Sequence, residues 1–250
     1  MKRLIFPMLV ILGAFAFSAK AQSDSLSPED DKTKLVDHLN QTGVLFLEGE
    51  KLRIAKEYFN KAIKLDPEFA QPYVNKGIVL AKKGRIAEAL KYFNKALRLD
   101  STSAEALNNR AIIFSQSGQN SKAIEDFTRA LELDPYSSIE TLYNRGIAQI
   151  NMGEYDKAIE DFDKVIFQNP NFAEAYNARG IARSLKGEYK KALEDFTTAQ
   201  MIDQNMAGET QYNAKLALEA MQGKEVKKSY RLKHKVITRK KQKQKNFLEH

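Results

Sequence analysis

Residues 104–137 read AEALNNRAIIFSQSGQNSKAIEDFTRALELDPYS, and residues 139–172 read IETLYNRGIAQINMGEYDKAIEDFDKVIFQNPNF. Laid over one another, Ala123 falls on Ala158, Phe127 on Phe162, Gly118 on Gly153 and Pro135 on Pro170. The same frame extends in both directions. Phe59, Phe93, Phe127, Phe162 and Phe196 recur at separations of 34, 34, 35 and 34. Four residues before each stands Ala55, Ala89, Ala123, Ala158 or Ala192, and three residues after each stands Ala62, Ala96, Ala130, Val165 or Ala199. A fixed period of this length marks stacked supersecondary units.

The spacing dictates the local structure. Apolar residues at i, i+4 and i+7 lie on one face of a helix. An acidic or amide turn closes each such helix: Asp66-Pro67, Asp100-Ser101, Asp134-Pro135, Asn169-Pro170 and Asp203-Gln204. Ahead of it, a first helix carries Leu39, Tyr73, Leu107, Leu142 or Tyr176, with Gly43, Gly77, Ala111, Gly146 or Gly180 four residues later. Gly49, Gly84, Gly118, Gly153 and Gly187 mark the turn between the two helices. Small residues let neighbouring backbones approach, Phe fills the space between hairpins, and proline past the second helix cannot continue it. One hairpin cannot bury this face alone, so the units must stack into a solenoid.

At these residues the chain resembles the tetratricopeptide repeat proteins. The resemblance implies an all-α, right-handed superhelical solenoid of five helix-turn-helix repeats, at 36–69, 70–103, 104–137, 139–172 and 173–206, with Ser138 as a single insertion. Residues 22–35 read as a linker and helix start, with Ser27 as N-cap and Pro28 as first helical residue. Residues 207–222 read as a capping helix with Ala214, Leu218 and Met221 on its buried face and Gly223 ending it. Val165, Gln149 and Arg183 depart from the family pattern, so looser packing is expected in the last two repeats.

The resemblance also implies that the first helices line a concave groove for a protein or peptide partner. By register its amides are Asn75, Asn109, Asn144 and, shifted by one, Asn177; Gln41 and Ala178 hold the same place in the outer repeats. A side-chain amide donates and accepts, so it can pair with a peptide backbone of any sequence. Beside the amides run Lys76, Arg110, Arg145 and Arg179, and three positions on lie Val44, Ile78, Ile112, Ile147 and Ile181. The blander readings are that the cations pair with Glu105, Glu140 and Glu174, and that the isoleucines are core between adjacent first helices. The family's two-carboxylate clamp needs Lys at the fifth and Asn at the ninth position of a first helix, and no register supplies it.

Composition narrows the rest. The 250 residues contain no Cys, no Trp and three His, which removes disulfides, thiolate metal sites and a cysteine nucleophile. No phosphate loop, dinucleotide fingerprint, zinc-protease or nucleophile-elbow motif is present, and no cofactor or catalytic residue is expected. The acidic pairs Glu125-Asp126, Glu160-Asp161 and Glu194-Asp195 recur once per second helix and read as solvated outer surface.

The ends differ from the middle. Met1 to Ala21 has the layout of a secretory signal: Lys2-Arg3, an apolar run from Leu4 to Phe17, then Ala19-x-Ala21. That run spans about 21 Å as a helix, short of a bilayer core of roughly 30 Å. Export to a bacterial periplasm or envelope, and no membrane span after cleavage, are the expectations. Residues 223–250 hold eleven Lys or Arg against Glu225 and Glu249, a balance of +9, while the formal charge of the whole chain is +8. Lys227, Lys228, Arg231, Lys233, Arg239, Lys240 and Lys241, interleaved with Tyr230 and Ile237, read as a disordered tail or as a contact for an anionic surface or acidic partner. Export argues against a nucleic acid partner.

Overall fold

The structure is a computed structural model, and it describes residues 28–134, 139–224 and 230. Those residues form eleven α-helices and no strand: α1 (Pro28–Glu48), α2 (Leu52–Leu65), α3 (Gln71–Lys82), α4 (Ile86–Leu99), α5 (Ala104–Gln116), α6 (Asn120–Leu133), α7 (Ile139–Met152), α8 (Tyr155–Gln168), α9 (Ala173–Lys186), α10 (Tyr189–Ile202) and α11 (Ala207–Met221). Odd and even helices pair as hairpins, and α11 covers the last one. Each first helix touches the first helix of the next unit, whereas no two second helices approach to the same extent among the described residues. The first helices therefore form the inner layer of the curve.

The Phe of each second helix sets the spacing within a hairpin. Phe59, Phe93, Phe127, Phe162 and Phe196 are each at most 1% exposed. A Cβ added at Gly43 or Gly77 would lie 2.5 Å from the Cε1 of Phe59 or Phe93, and one at Gly180 would lie 2.6 Å from that of Phe196. The missing methyl on the first helix is the space that the ring occupies. Val165, which replaces the usual Ala, is fully buried. The looser packing expected in the last repeats is not found around α7, α8 and α9. There Tyr143 and Phe172, with ring centroids 5.3 Å apart, fill the largest of the buried clusters.

Turn chemistry repeats as regularly as the core. The carboxylates or amides of Asp66, Asp100, Asn169 and Asp203 accept hydrogen bonds from the backbone N–H two residues on, at 2.9–3.1 Å. Such Asx turns end α2, α4, α8 and α10 and lead into the next helix. Thr102 holds the Asp100 carboxyl below its ordinary range through its hydroxyl and its N–H. Between the helices of a hairpin, Gly84, Gly118, Gly153 and Gly187 take left-handed backbone angles, φ +73° to +93°. In the first hairpin that place falls to Glu50, φ +58°, and not to Gly49.

Helix α1 begins at Pro28, the residue read as its first, and its buried face starts only at Val36 and continues through Asn40, Gly43 and Leu47. One sequence expectation about the C-terminal end is corrected. On α11, Leu218 and Met221 are 45% and 48% exposed. Its buried face is Glu209, Thr210, Asn213, Leu216 and Ala217, a polar start and an apolar end. Ser27 and the proposed signal segment 1–21 lie outside the described residues.

Phe127→Ala removes a fully buried ring from the central repeat and is expected to cost about 3–5 kcal/mol in denaturant unfolding. An unchanged midpoint would contradict its place in the core. Glu50→Gly should raise stability, by up to about 1 kcal/mol, because a side chain at positive φ is strained and glycine is not. A lowered midpoint for that variant would show that the Glu50 side chain contributes more than the strain costs.

The first-helix face as candidate functional site

The sixth-position amides bind their neighbours first. The Asn75 amide N–H donates to Asn40 Oδ1 at 2.9 Å, linking α3 to α1, and Asn75 is 4% exposed. Thr141 Oγ1 donates to Asn108 Oδ1 at 3.1 Å, linking α7 to α5. Asn177 Nδ2 donates to Glu209 Oε1 at 2.7 Å and its Oδ1 accepts from Asn213 Nδ2 at 3.0 Å, linking α9 to α11. Asn144 is fully buried. These side chains act as rungs between successive inner helices, satisfying buried polar groups as close packing requires. Asn109 differs: it is half-buried, and its Nδ2 donates only within its own helix, to Glu105 O at 2.8 Å.

Sequence reasoning placed Asn75, Asn109, Asn144 and Asn177 on this layer but missed Asn40, Glu209 and Asn213 as partners, and the separate Asn108–Thr141 pair. Hydrogen-bonding residues separated by 32 to 36 positions were the available signal.

The arginines serve another layer. Arg110 Nε and Nη2 donate to Asp126 at 2.7 and 2.8 Å, and Nη1 donates to Asn94 Oδ1 at 2.7 Å. Arg145 grips Asp161 at 2.7 Å twice and reaches Thr128 Oγ1 at 3.1 Å. Arg179 grips Asp195 and reaches Asp163 at 2.5 Å. Each guanidinium ties its own second helix to the second helix of the preceding repeat. Their charge is thus committed to the outer layer and is not offered to a groove ligand, which corrects the sequence assignment. Asp126, Asp161 and Asp195 are 6%, 2% and 3% exposed, so they are not the solvated surface that their period suggested. Burial raises the Asp195 carboxyl, against the pull of Arg179 and Arg183. Arg183, in a place expected to be apolar, donates to Asp195 at 2.9 Å. Lys76 lies over the Tyr92 ring, 4.4 Å from its centroid.

The aliphatic stripe is mostly core. Ile112, Ile147 and Ile181 are buried, and Ile78 is partly so. The exposed margin of the inner layer retains Gln41, with Val44, Ile78 and Asn109 half-open. Toward its C-terminal end lie Tyr143 and Glu209. Tyr143 is fully buried, and burial, aided by Glu174 and Glu209, pushes its phenol well above the ordinary range. Glu209 is 9% exposed, and its Oε2 has no hydrogen-bond partner.

On the outer side, a cavity of about 340 Å³ is lined by Asn94, Arg98, Ser101, Arg110 and Arg129, next to the arginine clamp. Phe167 and Met201, 88% and 77% exposed, stand on α8 and α10. Among the described residues no group of three His, Asp or Glu side chains is placed to hold a metal ion, and no helix is long and apolar enough to cross a membrane.

Asp161→Ala strips the partner from Arg145, whose side chain is 15% exposed, and is expected to cost about 3–5 kcal/mol in denaturant unfolding. Glu57→Ala, which breaks the exposed Arg53 pair, is the control and should leave the midpoint nearly unchanged. Equal effects would show that the clamp is not a buried ion pair in solution.

Comparison with known proteins agrees with this geometry. Models described as tetratricopeptide repeat match residues 40–69, 68–135, 139–172 and 173–206. A search of curated proteins gives no match. Among solved structures, MamA is similar at 26% identity over 70% of this chain and 96% of its own, TM-score 0.59. YrrB, described as a tetratricopeptide repeat protein with an unusual peptide-binding site, is 26% identical over 76% of this chain and 97% of its own, TM-score 0.61. A repeat protein from Parabacteroides merdae is 25% identical over 76% of this chain and 75% of its own, TM-score 0.61. With five hairpins in register, the Phe-on-Gly contact repeated in four of them and the family models covering the same residues, this chain belongs to the tetratricopeptide repeat family and has the fold of a protein–protein interaction scaffold.

Proposed function

We propose that the chain is a non-enzymatic adaptor of the cell envelope that holds an extended segment of a partner along its first-helix face. The observation that carries the reading is Asn109. It stands in the central repeat, half-open, and among the described residues its amide makes no hydrogen bond to a neighbouring inner helix like those of Asn75 and Asn177. Val44, Ile78 and Gln41 continue the same layer toward the N-terminal repeats. The peptide-binding site described for YrrB supports a peptide as the ligand class. The envelope setting rests on the signal-like segment 1–21.

The arrangement defines what the groove contributes. Buried rungs at Asn75 and Asn177 hold inner helices in register, so the face is shaped before a ligand arrives. Preorganisation of this kind reduces the ordering cost of binding. Few polar contacts remain for the ligand, so specificity must come from side-chain pockets between repeats.

Photo-crosslinking amino acids placed at Gln41 and Asn109 should capture the partner in envelope preparations, and ones at Phe167 and Met201 should not. Asn109→Ala should then weaken binding of the captured segment about 2- to 10-fold, the value of one neutral hydrogen bond. Crosslinks confined to Phe167 and Met201 would place the partner on the second helices and overturn the groove reading.

A further inference from the structure

Tyr230 lies beyond α11, and the first-helix face described above does not use it. Helix α11 ends at Met221, Gly223 turns the chain with φ +74°, and the Lys224 N–H donates back to Glu219 O at 3.0 Å. Six residues later Tyr230 is back on the solenoid. It is partly buried against the cluster of Ile181, Ala192, Phe196 and Ala217, beside Ile150 and Tyr189. Its hydroxyl shares a hydrogen bond with the Ser184 hydroxyl of α9, and Ser184 is 3% exposed.

Position in the repeat does not account for this contact. Tyr230 stands 34 residues after Phe196, where a sixth second helix would place its ring, yet its backbone is not helical and its hydroxyl reaches the preceding repeat's inner helix. A repeat Phe instead packs on the first helix of its own hairpin. An aromatic ring with a polar tip is suited to such a half-wet anchor.

We propose that the C-terminal segment is an intramolecular ligand of the solenoid, with Tyr230 as the anchor that seats it on α9 and α11 at the end of the inner layer. The docking is intramolecular and stands whether or not the face takes a partner peptide. The tether supports it. A segment joined by six residues meets its site at an effective concentration of about millimolar, so even weak contacts keep it bound. Burial pushes the Tyr230 phenol above its ordinary value, while the Ser184 hydrogen bond pulls the other way.

Hydrogen exchange of the full chain tests the anchor. Tyr230→Ala should speed exchange about tenfold in the last turns of α9 and α11 and leave α3 to α6 unchanged. Tyr230→Phe, which keeps the ring and loses the hydroxyl, should give a smaller change. A synthetic peptide of residues 224–237 added to the Tyr230→Ala chain should restore protection, and the same peptide with Tyr230→Ala should not. Unchanged exchange in Tyr230→Ala, or loss that neither peptide restores, would overturn the proposal. The chain has no Trp, so Tyr230→Trp gives a single fluorophore at the site. Native emission that is blue-shifted and shielded from quencher supports docking. Emission equal to that of the urea-unfolded chain overturns it.

Discussion

The contact on which the solenoid depends is a phenylalanine ring lying where a methyl group would be. In four of the five hairpins a glycine on the first helix faces the ring sixteen residues later, and a Cβ there would come within 2.5–2.7 Å of a ring carbon. Glycine inside a helix costs roughly 0.5–1 kcal/mol relative to alanine. That cost is offset by burying a whole ring and bringing the two backbones together. The third hairpin shows the limits of the rule, since Ala111 holds the glycine's place and Phe127 is still fully buried. Once this distance is set, the inner helices stack at a fixed interval, and each other repeated feature inherits its spacing.

A second repeated interaction works at right angles to the first. Arg110, Arg145 and Arg179 each join three helices, and their partners Asp126, Asp161 and Asp195 are nearly inaccessible to solvent. Paired buried charges contribute little net stability compared with apolar replacements, but a broken pair is costly. Their role is therefore to hold register between second helices that otherwise hardly touch. The amide rungs do the same on the inner layer, from Asn40 to Asn75 and from Asn177 to Asn213. The two layers are held by different chemistry: side-chain amides inside, one of them on the Glu209 carboxylate, and arginine clamps outside.

This division explains what the sequence disclosed. The Ala–Phe–Ala spacing is local to one helix, so its meaning follows from helical geometry and the hairpins could be read directly. Arg145 and Asp161 recur just as faithfully, but they meet across sixteen residues, and a periodic aspartate on an amphipathic helix looks the same whether its outer neighbour is water or an arginine. Helix α11 was misread for a related reason. Leu218 and Met221 are large and apolar yet exposed, while α11 covers α10 and α9 with Glu209, Thr210 and Asn213 at its start and Leu216 and Ala217 at its end, because Asn177 needs partners at that interface. Tertiary demand from one buried amide outweighed the hydrophobic pattern. Glu50 escaped notice because Gly49 stands beside it and glycine is the usual occupant of that turn.

The same reasoning bears on where a ligand could sit. A groove whose amides were all free would suit any extended backbone, but it would also leave unsatisfied polar groups in an inner layer that is closely packed. Here most of that hydrogen-bonding capacity is spent between helices, and the parts left open differ from end to end. The N-terminal side keeps Gln41 and half-open aliphatic residues, the centre keeps Asn109, and the C-terminal end pairs a buried carboxylate with an anchored tyrosine. A partner segment held along the first-helix face as proposed would meet a neutral surface toward the N-terminal repeats. Because amide hydrogen bonds join successive inner helices, that surface is shaped before a ligand arrives.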